Sequence, residues 1–262
     1  MKAQILSNIP VGNKFGYMEL RCPEIASETT AGRFFMVSVT GDDNSTDPIL
    51  KRPFAICDIT SQDTFSFLYM IVGRGTQLLK KRVPGEFLDV TGPLGNYFKL
   101  EKDSPVALVA GGIGIAPMVL TAKRLRERGC KVTLFYGGRT ESDIIIRDTL
   151  LNVCDELVPV TEDGSLGVKG LVTVPFSHRL SEFKKVYACG PNRMLMAISH
   201  ICIQNNINIE VSLDEHMACG VGACLGCLIP LKGASDTIYK RCCVEGPVFN
   251  GAKVDWDSLC RG

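Results

Sequence analysis

The sequence predicts a multidomain protein of the α/β plus β class, in which an antiparallel β-barrel precedes a parallel-sheet α/β domain and a small cysteine-rich lobe. Three observations predict this order. Short strands broken by turn residues fill the first part, strands alternate with helices from about residue 103, and the C-terminal part is rich in Cys and Gly but has little periodicity. The predicted domains are 1–100, 101–212 and 213–262.

The first domain contains short apolar or alternating runs separated by Gly, Pro and Asp. Examples are residues 34–39, 65–72 and 87–90. Strands at such regular spacing are typical of a small antiparallel barrel or sandwich. Arg52 stands at the edge of a further apolar strand, where its planar guanidinium is suited to gripping a phosphate. An exposed cation is the alternative for this arginine.

The second domain alternates strands with helices. Residues 106–110 form a continuous apolar run, which is typical of a strand buried on both faces. A helix is predicted from Pro117, a favourable first position, to a stop at Gly129. Further strands are predicted at 132–136, 157–160, 186–189 and 207–211. This alternation predicts a Rossmann-like parallel sheet covered by helices on both faces.

The cysteines near the C-terminus carry the most specific signal. Cys219, Cys224 and Cys227 follow the spacing C-x4-C-x2-C, and a fourth cysteine stands at Cys242 or Cys243. This is the ligand spacing of a plant-type [2Fe–2S] cluster, which needs four thiolates. Because such a cluster carries single electrons, the motif predicts a redox protein. The spacing alone leaves the choice between Cys242 and Cys243 open.

A structural zinc site in a binding module without redox activity is the alternative for these cysteines, because Cys224-x2-Cys227 is also a zinc half-site. Zinc sites usually pair two such half-sites, whereas the second half here offers only the adjacent Cys242 and Cys243. Adjacent cysteines rarely both reach one metal, so the spacing favours a cluster. With so little periodicity, the lobe is expected to be organised by its metal rather than by a core.

Two glycine-containing turns follow predicted strands of the second domain. Gly111, Gly112 and Gly114 follow one strand, and Cys189 and Gly190 end another. Such turns let the backbone approach a phosphate at a helix N-terminus. The first turn lacks the full G-x-G-x-x-G pattern and the acidic residue expected after it, so an ordinary tight turn is the alternative. Cys189 either faces a nicotinamide ring or simply packs.

Charge and cysteine content exclude several classes of protein. The net charge of +1 gives no bulk electrostatic case for nucleic acid or for an anionic membrane surface. The sequence contains no run of about 18 apolar residues that would span a bilayer. Residues 1–8 do not resemble a signal peptide. We therefore expect a cytoplasmic protein whose twelve cysteines stay reduced.

Taken in order, the motifs resemble those of a known family over nearly the whole chain. They are Arg-Pro-x-x in the barrel, Gly-Gly-Ile-Gly-x-Ala-Pro, Tyr-x-Cys-Gly-Pro, C-x4-C-x2-C and C-x-E-G-P-V-F. The chain resembles the ferredoxin-NADP reductase superfamily with a C-terminal [2Fe–2S] domain, and more narrowly the electron transfer subunits of class 1B dihydroorotate dehydrogenases. In that family the last cysteine ligand stands just before x-[DE]-G-P-V-F. The resemblance therefore implies Cys243 as the fourth ligand, with Cys219, Cys224 and Cys227.

The resemblance also implies where two further cofactors bind. An FAD site on the barrel would use Arg52, Pro53, Phe54, Ala55, Leu68, Tyr69, Met70, Gly75 and Thr76. Ala55 departs from the usual Ser, which removes a hydroxyl contact but leaves backbone contacts available. NAD would bind at the two glycine turns. The sequence leaves NADP open as an alternative to NAD. No obvious arginine cluster for a 2′-phosphate follows the second parallel strand, but Arg139 is nearby and could serve.

The family's activity is an electron relay, and it implies no catalytic acid or base on this chain. A partner subunit carrying FMN would oxidise dihydroorotate to orotate in pyrimidine biosynthesis, and the resemblance implies a heterotetramer with two copies of each subunit. Electrons would pass through the [2Fe–2S] cluster and FAD and leave as hydride to NAD+. The alternative is an electron transfer subunit of another flavin and iron–sulfur complex, of the hydrogenase, bifurcating transhydrogenase or glutamate synthase type.

Overall fold

A seven-stranded antiparallel sheet forms the first part of the chain in the computed structural model, which describes residues 1–40, 47–234 and 236–260. Its strands are β1 (Lys2–Val11), β2 (Phe15–Arg21), β3 (Phe34–Val37), β4 (Arg52–Ala55), β5 (Asp58–Ile59), β6 (Thr64–Met70) and β7 (Phe87–Leu94). Two helices lie between them, α1 (Pro23–Glu28) and α2 (Arg74–Lys80). The strand order is β4-β3-β7-β1-β2-β6-β5.

Aromatic side chains close this sheet into a barrel. Phe54 on β4 and Phe67 on β6 have ring centroids 5.1 Å apart, although the two strands stand far apart in the hydrogen-bonded order. Phe35 lies between them and contacts Phe65 and Phe67 edge to face, at 4.9 and 5.1 Å. Such edge-to-face packing is a favoured arrangement of buried rings. The predicted antiparallel barrel is confirmed.

A second, mostly parallel sheet follows. Its first six strands are β8 (Pro105–Gly111), β9 (Lys131–Gly138), β10 (Glu156–Thr161), β11 (Val168–Lys169), β12 (Lys185–Cys189) and β13 (Asn208–Ser212). Its helices are α3 (Ala116–Glu127), α4 (Arg147–Val153), α5 (Thr173–Arg179) and α6 (Asn192–Gln204). The predicted helix from Pro117 is α3, and Gly129 follows it with φ +78°.

Burial along β8 shows why this strand has no polar face. Val106 and Leu108 pack into the core on one side of the sheet, while Ala107 and Val109 pack into the core on the other side. All four side chains are fully buried. A strand covered by helices on both faces has to be apolar throughout, as the sequence predicted.

The C-terminal lobe contains two short helices and three short strands. They are β14 (Leu228–Lys232), β15 (Thr237–Arg241), α7 (Cys242–Glu245), β16 (Val248–Asn250) and α8 (Trp256–Leu259). Strand β16 pairs antiparallel with β13, which completes the second sheet in the order β11-β10-β9-β8-β12-β13-β16. The lobe is not without a core, as its lack of periodicity suggested, and the expected role of a metal in organising it stays a prediction. Ile229, Val254 and Trp256 are buried in the same core as the parallel sheet.

In the described part of the chain, none of the helices combines the length and the apolar character needed to cross a membrane. The predicted domain boundaries stay predictions. The pairing of β16 with β13 ties the third predicted domain to the second.

Candidate functional site

The barrel brings together two of the segments predicted to bind FAD. Arg52, Pro53, Phe54 and Ala55 form β4, and all four are half-buried. The Arg52 guanidinium lies over Gly75 in α2, where a Cβ atom would be 3.1 Å from Arg52 Nε. The absence of a side chain at Gly75 therefore leaves room for Arg52 beside the turn that begins α2.

Thr76 shapes that turn through its hydroxyl. The Thr76 Oγ1 atom accepts hydrogen bonds from the backbone N–H groups of Val72 and Gly73, at 3.0 and 3.2 Å, and donates one to the Gly73 carbonyl at 3.1 Å. Because these bonds occupy the hydroxyl, the side chain of Thr76 serves the turn itself. The predicted contribution of Thr76 to cofactor binding stays a prediction.

The third predicted FAD segment lies on β6, and its side chains alternate. Leu68 packs into the core shared with the parallel sheet, and Met70 is 37% exposed. Tyr69 points into the barrel, where its hydroxyl donates a 2.8 Å hydrogen bond to Asn8 Oδ1. Burial raises the pKa of the Tyr69 phenol. The structure thus brings Tyr69 into the barrel core next to Phe54, with ring centroids 6.4 Å apart.

The carboxyl ends of the central parallel strands bring the two glycine turns together. Cys189 on β12 lies opposite Ala110 on β8. A Cβ atom on Gly114 would overlap the Cys189 carbonyl oxygen, and one on Gly190 would lie 3.0 Å from the Gly111 nitrogen. The residues predicted to bind NAD therefore form one closely packed edge of the sheet, at the place where α/β sheets bind ligands.

Gly112 differs from its neighbours in this edge. It has φ +53°, a conformation that L side chains adopt at a cost, and no atom lies within 4 Å of the position its Cβ would take. Open space next to a strained backbone is the arrangement that lets a ligand approach the main chain closely. Cys189 is buried, which raises the pKa of its thiol to about 12, with a further contribution from Asp214. This thiol is therefore neutral.

The first two predicted cluster ligands lie close together on an exposed loop. The backbone N–H groups of Val221 and Cys224 both point at Cys219 Sγ, at 3.4 Å each. These donors lower the pKa of the Cys219 thiol to about 6, with the Cys224 side chain adding to the effect. Cys219 is therefore prepared as a thiolate, the form that binds metal.

The other two predicted ligands form a buried pair. The Cys243 backbone N–H points at Cys227 Sγ at 3.4 Å, and both residues are 2% exposed. Burial, followed by the neighbouring Cys227, raises the pKa of the Cys243 thiol to about 12. Cys242 points the other way, because its Sγ lies 3.5 Å from the Leu213 carbonyl oxygen inside the core. The turn of α7 thus separates the two adjacent cysteines.

Two pairs of thiols fit a dinuclear cluster better than a single ion. Within 1–40, 47–234 and 236–260, no three His, Cys, Asp or Glu side chains are gathered where they would hold one metal ion. Cys219 with Cys224 and Cys227 with Cys243 instead form two neighbouring pairs. A [2Fe–2S] cluster needs four thiolates, two on each iron. The donor set is all sulfur, as a [2Fe–2S] cluster requires.

Glycines let the cysteine loop pack closely on its surroundings. A Cβ atom on Gly220 would lie 2.6 Å from Met36 Cγ in the barrel, and one on Gly222 would lie 2.6 Å from Val244 Cγ2 in α7. Both glycines have positive φ. The loop is therefore seated between the barrel and the helix that carries Cys243.

An ion pair that sequence reasoning missed braces the same helix. Arg241 Nη2 lies 2.8 Å from Glu245 Oε1, and Arg241 Nη1 donates to the Gly222 carbonyl at 3.3 Å. The Arg241 guanidinium lowers the pKa of the Glu245 carboxyl to about 2. The sequence feature that could have predicted this ion pair is the i, i+4 spacing of Arg241 and Glu245, which flank the two adjacent cysteines.

Two family models match the chain. The iron-sulfur cluster binding domain of dihydroorotate dehydrogenase B matches residues 214–255, and the oxidoreductase NAD-binding domain matches residues 108–200. The first range contains the four paired cysteines, and the second contains both glycine turns.

Curated relatives match over most of their length. A protein of Desulforamulus reducens is 38% identical over 97% of this chain and 98% of its own. A protein of Clostridium acetobutylicum is 40% identical over 87% of this chain and 87% of its own. Both are named dihydroorotate dehydrogenase B (NAD(+)), electron transfer subunit.

Solved structures share the fold. A structure of an NADH-dependent reduced ferredoxin-NADP oxidoreductase, solved for insights into flavin-based electron bifurcation, has a TM-score of 0.86 at 30% identity and covers 99% of this chain and 91% of its own. A ferredoxin NADP+ reductase of Neisseria gonorrhoeae with bound FAD and NADP has a TM-score of 0.61 at 19% identity and covers 78% and 90%. The second similarity shows the fold alone.

Proposed function

This chain belongs to the family of dihydroorotate dehydrogenase B electron transfer subunits, and on that premise we propose that it passes electrons from an FMN-containing, dihydroorotate-oxidising partner subunit to NAD+. The proposed assembly holds two copies of each subunit and works in the cytoplasm. The single observation that carries the proposal is the arrangement of four thiols in two pairs beside the barrel.

We assign the [2Fe–2S] cluster to Cys219, Cys224, Cys227 and Cys243. When bound, the cluster carries single electrons, FAD exchanges one- and two-electron steps, and NAD+ accepts hydride. The chain's own residues hold these groups. N–H donors aimed at sulfur stabilise the thiolate of Cys219 before metal arrives. The buried pair of Cys227 and Cys243 excludes water from the other half of the site.

The barrel is proposed to hold FAD through two kinds of contact. The Arg52 guanidinium group beside Gly75 supplies charged, planar hydrogen-bond donors for a phosphate. The half-buried strand Arg52–Ala55 supplies backbone groups, and so does the turn at Gly75 and Thr76. Of the three predicted residues on β6, Tyr69 supports the site indirectly, because its side chain fills the barrel.

The sheet edge is proposed to hold NAD. The open backbone at Gly112 admits a phosphate, while Gly111, Gly114 and Gly190 keep the two turns in contact. Cys189, as a neutral buried thiol, supplies a small apolar surface rather than a charge or a nucleophile. The residues therefore orient a dinucleotide and contribute no acid or base to hydride transfer.

Co-expression with a candidate FMN subunit tests the proposal. We expect a brown-yellow complex that contains FAD, iron and sulfide and reduces NAD+ when dihydroorotate is added. The matched control is Cys243→Ser in the same complex. This variant should lose dihydroorotate-dependent NAD+ reduction but keep FAD reduction by NADH, because its barrel and sheet edge are unchanged.

Other outcomes would replace this proposal. A colourless protein after anaerobic purification would exclude any flavin or cluster role. A loaded protein that associates with a different large subunit, and reduces no NAD+ from dihydroorotate, would favour an electron-bifurcating complex of the kind that the structural relative represents.

A further inference from the structure

Asn96 lies where the barrel meets the segment that carries Cys243. It follows the end of β7 by two residues and is half-buried. The preceding residue, Gly95, has φ +72°, and a Cβ atom there would lie 2.6 Å from the Gly246 carbonyl oxygen. The chain between barrel and sheet is therefore pressed directly against the C-terminal segment.

Every polar group of the Asn96 side chain is bonded to that segment. Asn96 Nδ2 donates to the Glu245 carbonyl at 2.8 Å and to the Val248 carbonyl at 2.7 Å. Asn96 Oδ1 accepts a 2.9 Å hydrogen bond from the Val248 N–H, and the Asn96 backbone N–H donates to the Gly246 carbonyl at 2.6 Å. All four bonds join residues about 150 positions apart in the sequence.

Only an amide side chain satisfies this arrangement. Two carbonyl groups face the nitrogen of Asn96 and one N–H faces its oxygen, so the site needs two donors and one acceptor at that length. An aspartate would keep the bond from Val248 N–H but would turn a carboxylate towards two carbonyl oxygens. The identity of residue 96 is therefore set by the C-terminal segment, not by the barrel.

The residues to which Asn96 is hydrogen-bonded lie just after a proposed cluster ligand, Cys243. Cys243 lies in α7, which ends at Glu245, the first residue that Asn96 bonds. On the other side, β7 pairs with β3 and β3 pairs with β4, the strand of Arg52. Asn96 thus connects the segment of the proposed cluster ligand Cys243 to the sheet proposed to bind FAD. The connection runs through the Asn96 side chain and then through the pairings of β7 with β3 and of β3 with β4.

We propose that Asn96 is a positioning residue, which fixes the segment from Cys243 to Val248 against the barrel and so sets the position of the cluster relative to FAD. Only the electron transfer measurement of this inference rests on the proposed function. Electron transfer between fixed groups needs a rigid frame, in which the supporting residues hold a functional site to within about 0.5 Å.

Asn96→Asp and Asn96→Ala test this inference, and Asn205→Asp is the matched control. Asn205 undergoes the same chemical change but is exposed, and its side chain donates to the Ile201 carbonyl of α6, the helix that it directly follows. Hydrogen–deuterium exchange followed by mass spectrometry reports on the C-terminal segment. Stopped-flow mixing with NADH then separates flavin bleaching from the later appearance of the reduced cluster.

We expect the rate of amide hydrogen exchange across residues 244–250 to rise about tenfold in both Asn96 variants. A rise of this size corresponds to the loss of about one hydrogen bond that stabilises the segment. Flavin bleaching by NADH should stay within about twofold of wild type, because the sheet edge is untouched. Electron arrival at the cluster should fall about tenfold, or iron should be lost while FAD is retained. Asn205→Asp should change neither measurement.

Two results would overturn the inference. Unchanged exchange and unchanged cluster reduction in Asn96→Asp and Asn96→Ala would mean that the four bonds are dispensable. Simultaneous loss of FAD and protection throughout the barrel would make Asn96 a general stability residue. A wild-type protein without FAD or cluster would contradict the proposed function, whereas the exchange measurement would still decide whether Asn96 fixes the segment.

Discussion

The edge of the parallel sheet and the cysteine loop both present thiols, in opposite surroundings. At the sheet edge Cys189 is buried, and burial raises the pKa of its thiol to about 12. In the loop Cys219 is approached by two backbone N–H groups, which lower the pKa of its thiol to about 6. The same residue type is thus a neutral packing group in one region and a thiolate in the other.

The two regions also differ in how they are held. At the sheet edge, Gly114 and Gly190 lie against backbone atoms of the neighbouring turn. The cysteine loop contacts its neighbours through side chains such as Met36 and Val244. Side chains yield more easily than backbone. We therefore expect substitutions at the sheet edge to affect folding, and substitutions in the loop to affect metal content.

The largest expected effect is in the lobe, at the adjacent cysteines. Cys243→Ser should reduce iron from about two atoms per chain to almost none, because the backbone N–H of Cys243 points at Cys227 Sγ, whereas that of Cys242 donates to the Cys227 carbonyl. Iron and sulfide analysis with the visible absorption spectrum measures this. Cys242→Ser is the matched control and should keep most of its iron, since Cys242 points at the Leu213 carbonyl. The reverse result would exchange the roles of the two residues.

Gly114→Ala tests the sheet edge. The new Cβ would overlap the Cys189 carbonyl oxygen, which is backbone and cannot rotate away. We expect a loss of about 1–3 kcal/mol in the free energy of unfolding and much weaker NADH binding. For the stability measurement alone, Gly112→Ala is the comparison, because its Cβ meets open space and costs about 1–2 kcal/mol from positive φ. Urea unfolding measures the stability of both variants, and NADH titration measures binding by Gly114→Ala. A Gly114→Ala protein as stable as wild type would contradict the contact.

Gly220→Ala tests the loop and should have a smaller effect on stability. Its Cβ would lie 2.6 Å from Met36 Cγ, a flexible side chain, at a φ of +70°. We expect about 1–2 kcal/mol of strain, expressed as partial loss of iron while FAD stays bound. Gly226→Ala meets only Cys224 Sγ at 3.6 Å, an ordinary contact, and should lose less iron. If Gly220→Ala unfolded the barrel instead, the loop would not be the more yielding region.

Periodicity and spacing in the sequence predicted the central strands of the parallel sheet, the helix from Pro117 and the cysteine motif. The run at 106–110 was recognised because a strand buried on both faces has no polar side. The resemblance to the family, carried by the motifs, was confirmed by the relatives. The choice of Cys243 stays a prediction, supported by the direction in which α7 turns the two thiols.

Contacts distant in sequence were beyond prediction. Nothing around Asn96 indicates that its partners lie some 150 positions later, and the pairing of β16 with β13 is equally non-local. The core of the lobe was missed for a related reason. Ile229 and Trp256 show no periodicity of their own, because the face that they cover belongs to another domain. The local sequence pattern indicates which residues of a helix or strand are buried, but it does not indicate which distant element covers them.

The smallest expected effect is at the opposite, amino edge of the same sheet, where Arg179 holds Glu156 in a bidentate pair at 2.6 and 2.8 Å. The Arg179 guanidinium lowers the pKa of the Glu156 carboxyl. A lowered pKa in the folded state stabilises the protein above the unfolded pKa, about 4.3 for Glu, and this contribution is lost as the pH falls through the folded value.

Arg179→Met should therefore cost less than about 1 kcal/mol at pH 7, because the pair is partly exposed and screened by solvent. The difference from wild type should shrink as the pH falls below about 4. Thermal unfolding at several pH values measures it. NADH binding should not change, since the two edges of a parallel sheet lie at opposite ends of its strands. A change in NADH affinity at constant stability would show that the two edges are coupled through the sheet.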